Sequence, residues 1–487
     1  MKWMMLIVAG LFTLGSAHAQ SLGWFEMQTA LGGAFAGSAK YEAEAQTYHL
    51  RGPEGVEEPG AAHLLARRLD GDFILRAEVA GEAASGEWGW MIRDSVDAAS
   101  AYVAAVIKAD GIPALRVRQS AGAPEVTTSA AAPVGGTPDI LQLERQGGRF
   151  ILKTAVRGEE FSRPVSVDMN LSDEVVAGLF SGAGGEVNLS NVRIVVPPGP
   201  DDTPYQDYLG SNLEILDVDT GERTIVYRSD QSIQAPNWTP DGRALIYNSN
   251  GLLYRFDLES GESTVIDTDF ATRNNNDHVI SFDGTMLGIS HHPPEHDGQS
   301  IVYTVPIDGG TPKKITERGP SYLHGWSPDG RFLTYTALRD GDYDIYIIPA
   351  EGGEEIRLTD APGLDDGSEY SPDGEYIYFN SVRTGTMEIW RMRPDGSEQE
   401  ALTDDHLNNW FPHVSPDGSR IVFLSYLPDV APDDHPFYKQ VYLRMMPADG
   451  GDPRVIAYLF GGQGTINVPS WSPDGRRIAF VSNTDLL

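Results

Sequence analysis

The chain has 487 residues, no cysteine, and 36 basic against 70 acidic side chains, which gives a formal net charge of −34 at pH 7. Without thiols it can have no disulfides, cysteine nucleophiles, iron–sulfur clusters or cysteine-ligated zinc sites. The negative charge repels phosphate backbones and anionic lipid, so we expect no nucleic-acid partner.

The first 19 residues are typical of a secretory signal peptide. Lys2 supplies a positive start, an apolar run extends from Trp3 to Leu14, and Ala17-His18-Ala19 forms a small-x-small cleavage site. The apolar run is shorter than the roughly 20 residues that a membrane helix needs, and no second run of that length follows. We therefore predict a periplasmic or secreted protein without membrane insertion.

Residues 20–196 contain short segments in which apolar and polar positions alternate, separated by glycine-rich turns. This pattern is typical of half-buried β-strands and predicts a two-sheet β-sandwich. Residues 197–207 are rich in proline and aspartate and predict a stiff, solvated linker. The clearest strand segments are Asp72–Glu78, Trp88–Arg93, Tyr102–Ile107, Leu115–Arg118 and Phe150–Thr154.

A four-residue motif occurs six times in the rest of the chain, at spacings of 42, 46, 44, 44 and 57 residues. This is the period of a four-stranded propeller blade. Proline presets φ, aspartate caps the turn and glycine accepts positive φ, so each copy closes a hairpin. The copies are Thr239-Pro-Asp-Gly242, Ser281-Phe-Asp-Gly284, Ser327-Pro-Asp-Gly330, Ser371-Pro-Asp-Gly374, Ser415-Pro-Asp-Gly418 and Ser472-Pro-Asp-Gly475.

The two ends of the repeat predict how the blades close into a ring. After the sixth motif the sequence contains one further strand, Arg477–Ser482. Ahead of the first motif, Asn212–Asp217 and Arg223–Tyr227 match the third and fourth strands of the other blades. Pairing these segments would complete a sixth blade and hide the edge strands. We predict an all-β chain: an N-terminal β-sandwich, then a closed six-bladed β-propeller over 208–487 with no further domain behind it.

The six motif-bearing blades, with third strands such as Asp344–Pro349, resemble the WD-like repeats of the TolB-like six-bladed propeller family. That resemblance implies the fold rather than one function, because propellers of this family serve in binding proteins, peptidases and lyases. TolB itself carries an α/β domain ahead of its propeller, and this chain departs from that pattern. The N-terminal region resembles concanavalin-like jelly rolls found beside carbohydrate-active domains, in Gly178–Ala183 and Leu189–Ile194.

The propeller histidines are predicted to share the face opposite the hairpin motifs. His278, His324 and His413 each come one or two residues before the bulky residue of a blade's first strand, and the first strands line the central channel. Neutral imidazole is the commonest metal ligand, so these three residues are candidates for binding one divalent metal ion. The alternative for each is an ordinary hydrogen-bonded histidine. The stretch from Ser290 to His296 resembles the metal-binding segment of propeller oligogalacturonate lyases.

Amide, carboxylate and aromatic side chains are predicted to occupy the same channel mouth. Amides and carboxylates suit hydroxyl-rich ligands, aromatic faces suit sugar rings, and a guanidinium can clamp a carboxylate. The alternative is that asparagine and aspartate simply form turns. Candidates for ligand contact are Asn237, Asn276, Asp366, Asn380, Arg383, Trp410 and Gln463, and candidates for catalysis are His324, Glu369 and His413.

These patterns favour an exported protein that binds a glycan or other polyhydroxylated ligand at the channel mouth. Metal-assisted, lyase-like cleavage of a polysaccharide or oligosaccharide is left open, with a neutral histidine or Glu369 as general base. The alternative function is a non-catalytic periplasmic scaffold that binds an envelope protein through a propeller face. The sequence has no nucleophile elbow, zincin motif or phosphate loop.

Overall fold

The computed structural model describes residues 21–486, apart from 33–36, 56–60, 82–83, 134 and 204–205. The predicted signal peptide therefore lies outside the described residues, as does part of the predicted linker. The described chain is all-β, as predicted, with 37 strands and one short 3-10 helix, Pro294–His296. No described helix is long and apolar enough to cross a membrane.

Fourteen strands precede the propeller and form two seven-stranded antiparallel sheets. They are β1 (Met27–Leu31), β2 (Ser38–Glu42), β3 (Thr47–Arg51), β4 (Ala62–Leu69), β5 (Phe73–Val79), β6 (Trp88–Arg93), β7 (Tyr102–Ile107), β8 (Pro113–Arg118), β9 (Val126–Ser129), β10 (Ile140–Gln146), β11 (Arg149–Ala155), β12 (Val165–Asp168), β13 (Val175–Gly182) and β14 (Glu186–Val195). One sheet has the order β1-β4-β13-β6-β7-β8-β9 and the other β12-β11-β10-β5-β14-β3-β2.

The two sheets pack face to face over a shared apolar core. Trp88 and Trp90 of one sheet meet Phe73, Leu75 and Leu143 of the other, and all five side chains are almost completely buried. Burial of aromatic and branched side chains of this size supplies the main driving force for such a pair of sheets. The jelly-roll assignment of this region stays a prediction.

The following strands form six blades around a central channel. Blades 1 to 5 have four strands each, and the sixth consists of β37, β15 and β16, with Trp471 bridged to Ile478 in the inner position. The strands are β15 (Gly210–Asp217), β16 (Arg223–Ser229), β17 (Gln234–Trp238), β18 (Ala244–Ser249), β19 (Leu252–Asp257), β20 (Ser263–Ile266), β21 (Asn274–Ile280), β22 (Met286–His291), β23 (Ile301–Pro306), β24 (Lys313–Lys314), β25 (Ser321–Trp326), β26 (Phe332–Arg339), β27 (Asp342–Pro349), β28 (Ile356–Arg357), β29 (Asp365–Tyr370), β30 (Ile377–Ser381), β31 (Glu388–Met392), β32 (Glu400–Ala401), β33 (Asn408–Val414), β34 (Arg420–Tyr426), β35 (Lys439–Pro447), β36 (Arg454–Gly461) and β37 (Arg477–Thr484).

The ring closes as the sequence predicts. Strand β15 pairs antiparallel with β37 along its whole length, from Gly210 opposite Thr484 to Asp217 opposite Arg477. The two ends of the propeller sequence thus share one blade, and neither β15 nor β37 is left as an open edge. The predicted six-bladed propeller is confirmed.

The repeated motif forms the same hydrogen-bonded turn in every blade. In blade 3, Asp329 Oδ1 accepts hydrogen bonds from Ser327 Oγ at 2.7 Å and from the Arg331 amide at 3.1 Å. Gly330 has a φ of +70°, which favours glycine. The hydrogen bond from Ser327 is the main cause that lowers the pKa of Asp329 to about 2. The same pair of bonds is made by Asp241, Asp283, Asp329, Asp373, Asp417 and Asp474.

We expect Asp329→Ala to destabilise the propeller by about 1 kcal/mol, because the Arg331 amide and the Ser327 hydroxyl both lose their acceptor. The measurement is the urea midpoint of unfolding followed by tryptophan fluorescence. Asp308→Ala is the matched control, since the Asp308 side chain is 90% exposed and makes only a 3.9 Å ion pair with Arg255. Equal midpoints for the two variants would contradict this role for Asp329.

One buried carboxylate joins the two-sheet region to the closing blade. Glu214 on β15 is fully buried and accepts hydrogen bonds from Arg193 of β14 at 2.5 Å and from Arg223 of β16 at 2.6 and 2.7 Å. The hydroxyl of Ser482 on β37 donates to the same carboxylate. Burial alone would raise the pKa of Glu214, but the two guanidinium groups hold it far below its usual range.

We expect Glu214→Gln to destabilise the protein by about 3 kcal/mol near pH 7, because Arg193 and Arg223 would stay buried without their counter-charge. A depressed folded-state pKa means that this stabilisation is present above the unfolded value of 4.5 and is lost as the pH falls towards the folded-state value. The denaturation midpoints of wild type and variant should therefore converge in acid. Glu259→Gln is the control: its side chain is 89% exposed, so this variant should leave the midpoint unchanged both near pH 7 and in acid.

Candidate functional site

The innermost strands of blades 1 to 5 carry a bulge near the same end of the channel. A bulge inserts unpaired residues into a strand and changes the direction in which its side chains point. Side chains in or beside these bulges line the channel mouth, whereas side chains after a bulge turn towards a neighbouring blade. The pairing shifts fall between Gln234 and Asn237, Asn274 and His278, Leu323 and Gly325, Asp366 and Glu369, and Trp410 and His413.

A cavity of about 690 Å³ opens at this mouth, and we call it the mouth cavity. Its described lining contains four aspartates, two histidines, three amides and three aromatic rings, but no lysine or arginine. Polar groups of both hydrogen-bonding types therefore converge on a space with apolar walls. The carboxyl, imidazole, amide and aromatic residues of the lining are Asn275, Asp277, Tyr322, His324, Asp342, Tyr343, Asp366, Phe411, Asp433, His435, Gln463 and Asn467.

A second space of about 240 Å³, which we call the amide hollow, adjoins the mouth cavity and shares Asn275 and Gln463 with it. Several of its amides also maintain the fold. Asn274, for example, donates to the carbonyl groups of Gly251 and Ala271. The other lining residues are Tyr208, Ser232, Gln234, Asn248, Asn250, Gly251, Asn276, His292 and Phe437.

Asp366 is the centre of a charged group in the mouth cavity. Its Oδ1 lies 2.9 Å from Nε2 of His324, and its Oδ2 lies 3.7 Å from Nε2 of His435. Burial would raise the pKa of Asp366, but His324 and His435 hold it well below its usual range. Burial would likewise lower the pKa of His324, yet the Asp366 carboxylate outweighs that effect and raises it. His324 and Asp366 therefore form a buried ion pair.

Asp277 lies in the same cavity, but the hydrogen-bond partner of its side chain is a neutral amide. It is 5% exposed, and its Oδ2 accepts a hydrogen bond from the Asn275 amide at 2.8 Å. Among the described residues no cationic group lies within ion-pair distance of it. Burial is the main cause that raises the pKa of Asp277; His324 opposes the rise and Asp366 adds to it. One cavity thus holds an ionised carboxylate and a second carboxyl group that retains its proton more readily.

The structure brings some of the predicted residues together. His324, Asp366 and Gln463 line the mouth cavity, and Asn276 lines the amide hollow. Asp342 and Tyr343, the first two residues of β27, also line the cavity, although they are not among the candidates from the sequence. Their position depends on how the blades are arranged around the ring.

The predicted metal site does not form. His278 is completely buried, and its Nε2 lies 3.2 Å from the Ile246 carbonyl oxygen of the preceding blade, where burial lowers its pKa to about 4. His413 lies between Glu369, at 2.6 Å, and the backbone of Ile466. Among the described residues there is no group of three or more His, Asp or Glu side chains that could hold a metal ion. His278, His324 and His413 therefore do not fit a shared metal ion.

Three other candidate side chains form hydrogen bonds between neighbouring blades and do not line the mouth cavity. Asn237 donates to the Pro469 carbonyl at 2.6 Å and accepts from the Ile280 amide at 3.0 Å. Asn380 accepts from the Phe411 amide, and Glu369 from the Val414 amide, each at 3.0 Å. Asn237 and Asn380, candidates for ligand contact, and Glu369, a candidate for catalysis, thus use side-chain oxygens to accept hydrogen bonds from buried backbone amides of a neighbouring blade.

Trp410 and Arg383 also differ from their predicted positions. Trp410 is completely buried, and its ring centroid lies 4.5 Å from that of His435, so it supports His435 and offers no open face. Arg383 donates to Asp365 at 2.7 Å and to Gln399 at 2.5 Å and is not part of the cavity lining. The predicted aromatic platform and carboxylate clamp are therefore occupied by contacts within the protein.

Comparison with known proteins places the propeller within a family. A model described as the TolB beta propeller domain matches residues 324–429. An uncharacterized protein of Agrobacterium fabrum strain C58 is 48% identical over 272 residues, which cover 56% of this chain and 92% of that protein. The chain belongs to the TolB-like propeller family.

Two further similarities concern the TolB-like propeller. A solved structure from Agrobacterium tumefaciens, provisionally named TolB, is 47% identical with a TM-score of 0.55, and covers 57% of this chain and 99% of that one. The Tol-Pal system protein TolB of Bordetella pertussis strain Tohama I is 29% identical over 152 residues, which cover 29% of this chain and 33% of that protein. The second similarity thus spans only a third of the Bordetella protein.

The ion pair of this TolB-like propeller gives a direct titration test. We expect the His324 imidazole to titrate above its ordinary value of 6.5, and to titrate below it in Asp366→Asn, where burial is left without the compensating carboxylate. A raised folded-state pKa means that the pair stabilises the fold below pH 6.5 and that this contribution is lost as the pH rises through the folded-state value.

The measurement is imidazole titration by NMR, with His63 as the internal control. Burial in the two-sheet region lowers the pKa of His63, and Asp366 is not a cause of that shift, so the titration of His63 should be the same in both proteins. A His324 titration that Asp366→Asn leaves unchanged would disprove the ion pair.

Proposed function

We propose that this TolB-like propeller binds a small hydroxyl-rich ligand, such as one end of a glycan, in the mouth cavity. The observation that carries the proposal is the convergence of carboxyl, imidazole, amide and aromatic side chains on one space of about 690 Å³. Its volume falls within the range of about 300–1,000 Å³ that is usual for ligand sites. The cavity lies on bulged strands of a rigid ring, so its groups hold their positions before a ligand arrives.

The amides between the mouth cavity and the amide hollow support a hydroxyl-rich ligand. Gln463 Nε2 lies 3.5 Å from Asn276 Oδ1, and Asn467 Nδ2 lies 3.4 Å from Gln463 Oε1. These bonds are long, so the amides keep hydrogen-bonding capacity for hydroxyl groups, which both donate and accept. The rings of Tyr322 and Tyr343, which line the cavity, supply apolar surface for a sugar ring.

The charge of the cavity does not support cleavage of a uronate-containing glycan. Four aspartates line it, no lysine or arginine does so among the described residues, and Arg383 is bound to Asp365. A uronate carboxylate would face like charges at close range in a partly buried space. We therefore propose ligand binding and derive no metal-assisted or lyase step.

The second candidate ligand is a protein of the cell envelope, which the chain would meet after export. It is supported by the 29% identity to a Tol-Pal system protein. A pull-down from envelope extract distinguishes the two functions. One stoichiometric protein that added oligosaccharides do not displace would favour the scaffold.

The test of glycan binding is calorimetric titration of the purified full chain with a panel of neutral, acidic and amino oligosaccharides. We expect acidic members not to bind, and we expect Asp366→Asn to weaken any ligand at least about tenfold, because hydrogen bonds to a charged group contribute about 1.5–3 kcal/mol. Asp329→Ala, in a hairpin turn of the opposite face, should leave the affinity unchanged. If no oligosaccharide binds at millimolar concentration, the proposal is wrong.

A further inference from the structure

We propose that the hydroxyl-rich ligand carries a protonated amine, which binds beside Asp277 against the aromatic walls of the mouth cavity. This inference rests on the proposed function and adds the charge of the ligand. It selects amino sugars over neutral or acidic sugars.

The distribution of charge in the mouth cavity is the first argument. Of the four aspartates in its lining, Asp366 already has a cationic partner in His324 at 2.9 Å. Asp277 has none among the described residues, and its side-chain oxygen meets only the neutral Asn275 amide. Asp277 is therefore a buried carboxyl group of the cavity that has no cationic group within ion-pair distance among the described residues.

The burial of Asp277 makes the lack of a cationic partner costly. Asp277 is 5% exposed, and a buried carboxylate without a cationic partner is costly, so the group must either take up a proton or gain a cation from outside. Burial raises the pKa of Asp277, so the group retains its proton more readily than a free aspartate. A bound ammonium group would supply the second, and the attraction is stronger in a partly buried cavity than in water.

The walls around Asp277 suit a cation as well. Tyr322 and Tyr343 line the same cavity, and the negative face of an aromatic ring attracts an ammonium group. An aliphatic wall would offer no such interaction. Carboxyl group and rings together recognise an amine better than a hydroxyl group.

The experiment compares two trisaccharides that share one sugar backbone and differ in whether their amines are free or N-acetylated. Chitotriose with three free amines and its fully N-acetylated form are titrated into the full chain at about pH 6, where the amines are protonated. We expect the amine form to bind at least about tenfold tighter, and we expect added sodium chloride to reduce that difference.

Variants locate the amine. Asp277→Asn keeps the shape and the hydrogen bond to Asn275, and it should abolish most of the preference for the amine form. Asp308→Asn removes a carboxylate at a 90% exposed side chain outside the mouth cavity and should keep the preference. Tyr343→Leu, which removes an aromatic face, is the second test and should weaken the amine form more than the acetylated form.

The outcomes separate this inference from the proposed function. Equal affinity for the two trisaccharides, or a preference for the acetylated form, overturns the amine inference and leaves glycan binding intact. A preference that survives both Asp277→Asn and Tyr343→Leu shows that the amine binds elsewhere, which also overturns it. If neither trisaccharide nor any oligosaccharide of the panel binds, both the glycan-binding proposal and the amine inference are wrong.

Discussion

The closed ring is the constraint on which the rest of this structure depends. Strand β15, from the start of the propeller, pairs with β37 from its end, and Glu214 is buried between them and β14. Its two arginine partners come from different elements, so the pairing also ties the two-sheet region to the propeller. Removing charges from water is costly, and three charged groups can be buried at this junction because their hydrogen bonds satisfy one another. The closure of the ring and the attachment of the two-sheet region to the propeller thus both involve the Glu214 carboxylate.

A closed ring also explains why the channel mouth can hold a site. The ring holds the inner strands together, and bulged residues such as Asp277, His324 and Phe411 line the mouth cavity. Phe411 adopts a φ of +54°, and Gly367 one of +65°, at two of these bulges. A non-glycine residue with positive φ costs energy unless its surroundings enforce it. The buried amide of Phe411, held by Asn380, is one such surrounding contact.

The mouth cavity shows how one environment can produce opposite proton affinities. Asp277 and Asp366 lie in the same cavity and are both nearly buried. His324 forms an ion pair with Asp366, which stays ionised, whereas the pKa of Asp277 rises because burial dominates there. Groups separated in this way are common in functional sites. The net negative charge of the whole chain does not create this difference, because buried pairs are affected by their immediate neighbours far more than by distant, screened charges.

The sequence by itself determined the blade number, the turn chemistry and the ring closure. Each of these depends on local backbone preferences that Ser-Pro-Asp-Gly carries in four residues, or on strand patterns that recur at one period. It also indicated the end of the channel at which the mouth cavity lies, with His324, Asp366 and Gln463 among the candidates. Only the tertiary structure decided which side chains face the cavity. A bulge adds residues without a signal in the periodicity, so His278, Asn237 and His413 turn between blades while Asp277 and His324 turn inward. Tyr343 and His435 reach the cavity from a hairpin and a long loop, because neighbouring blades meet in space and not in sequence.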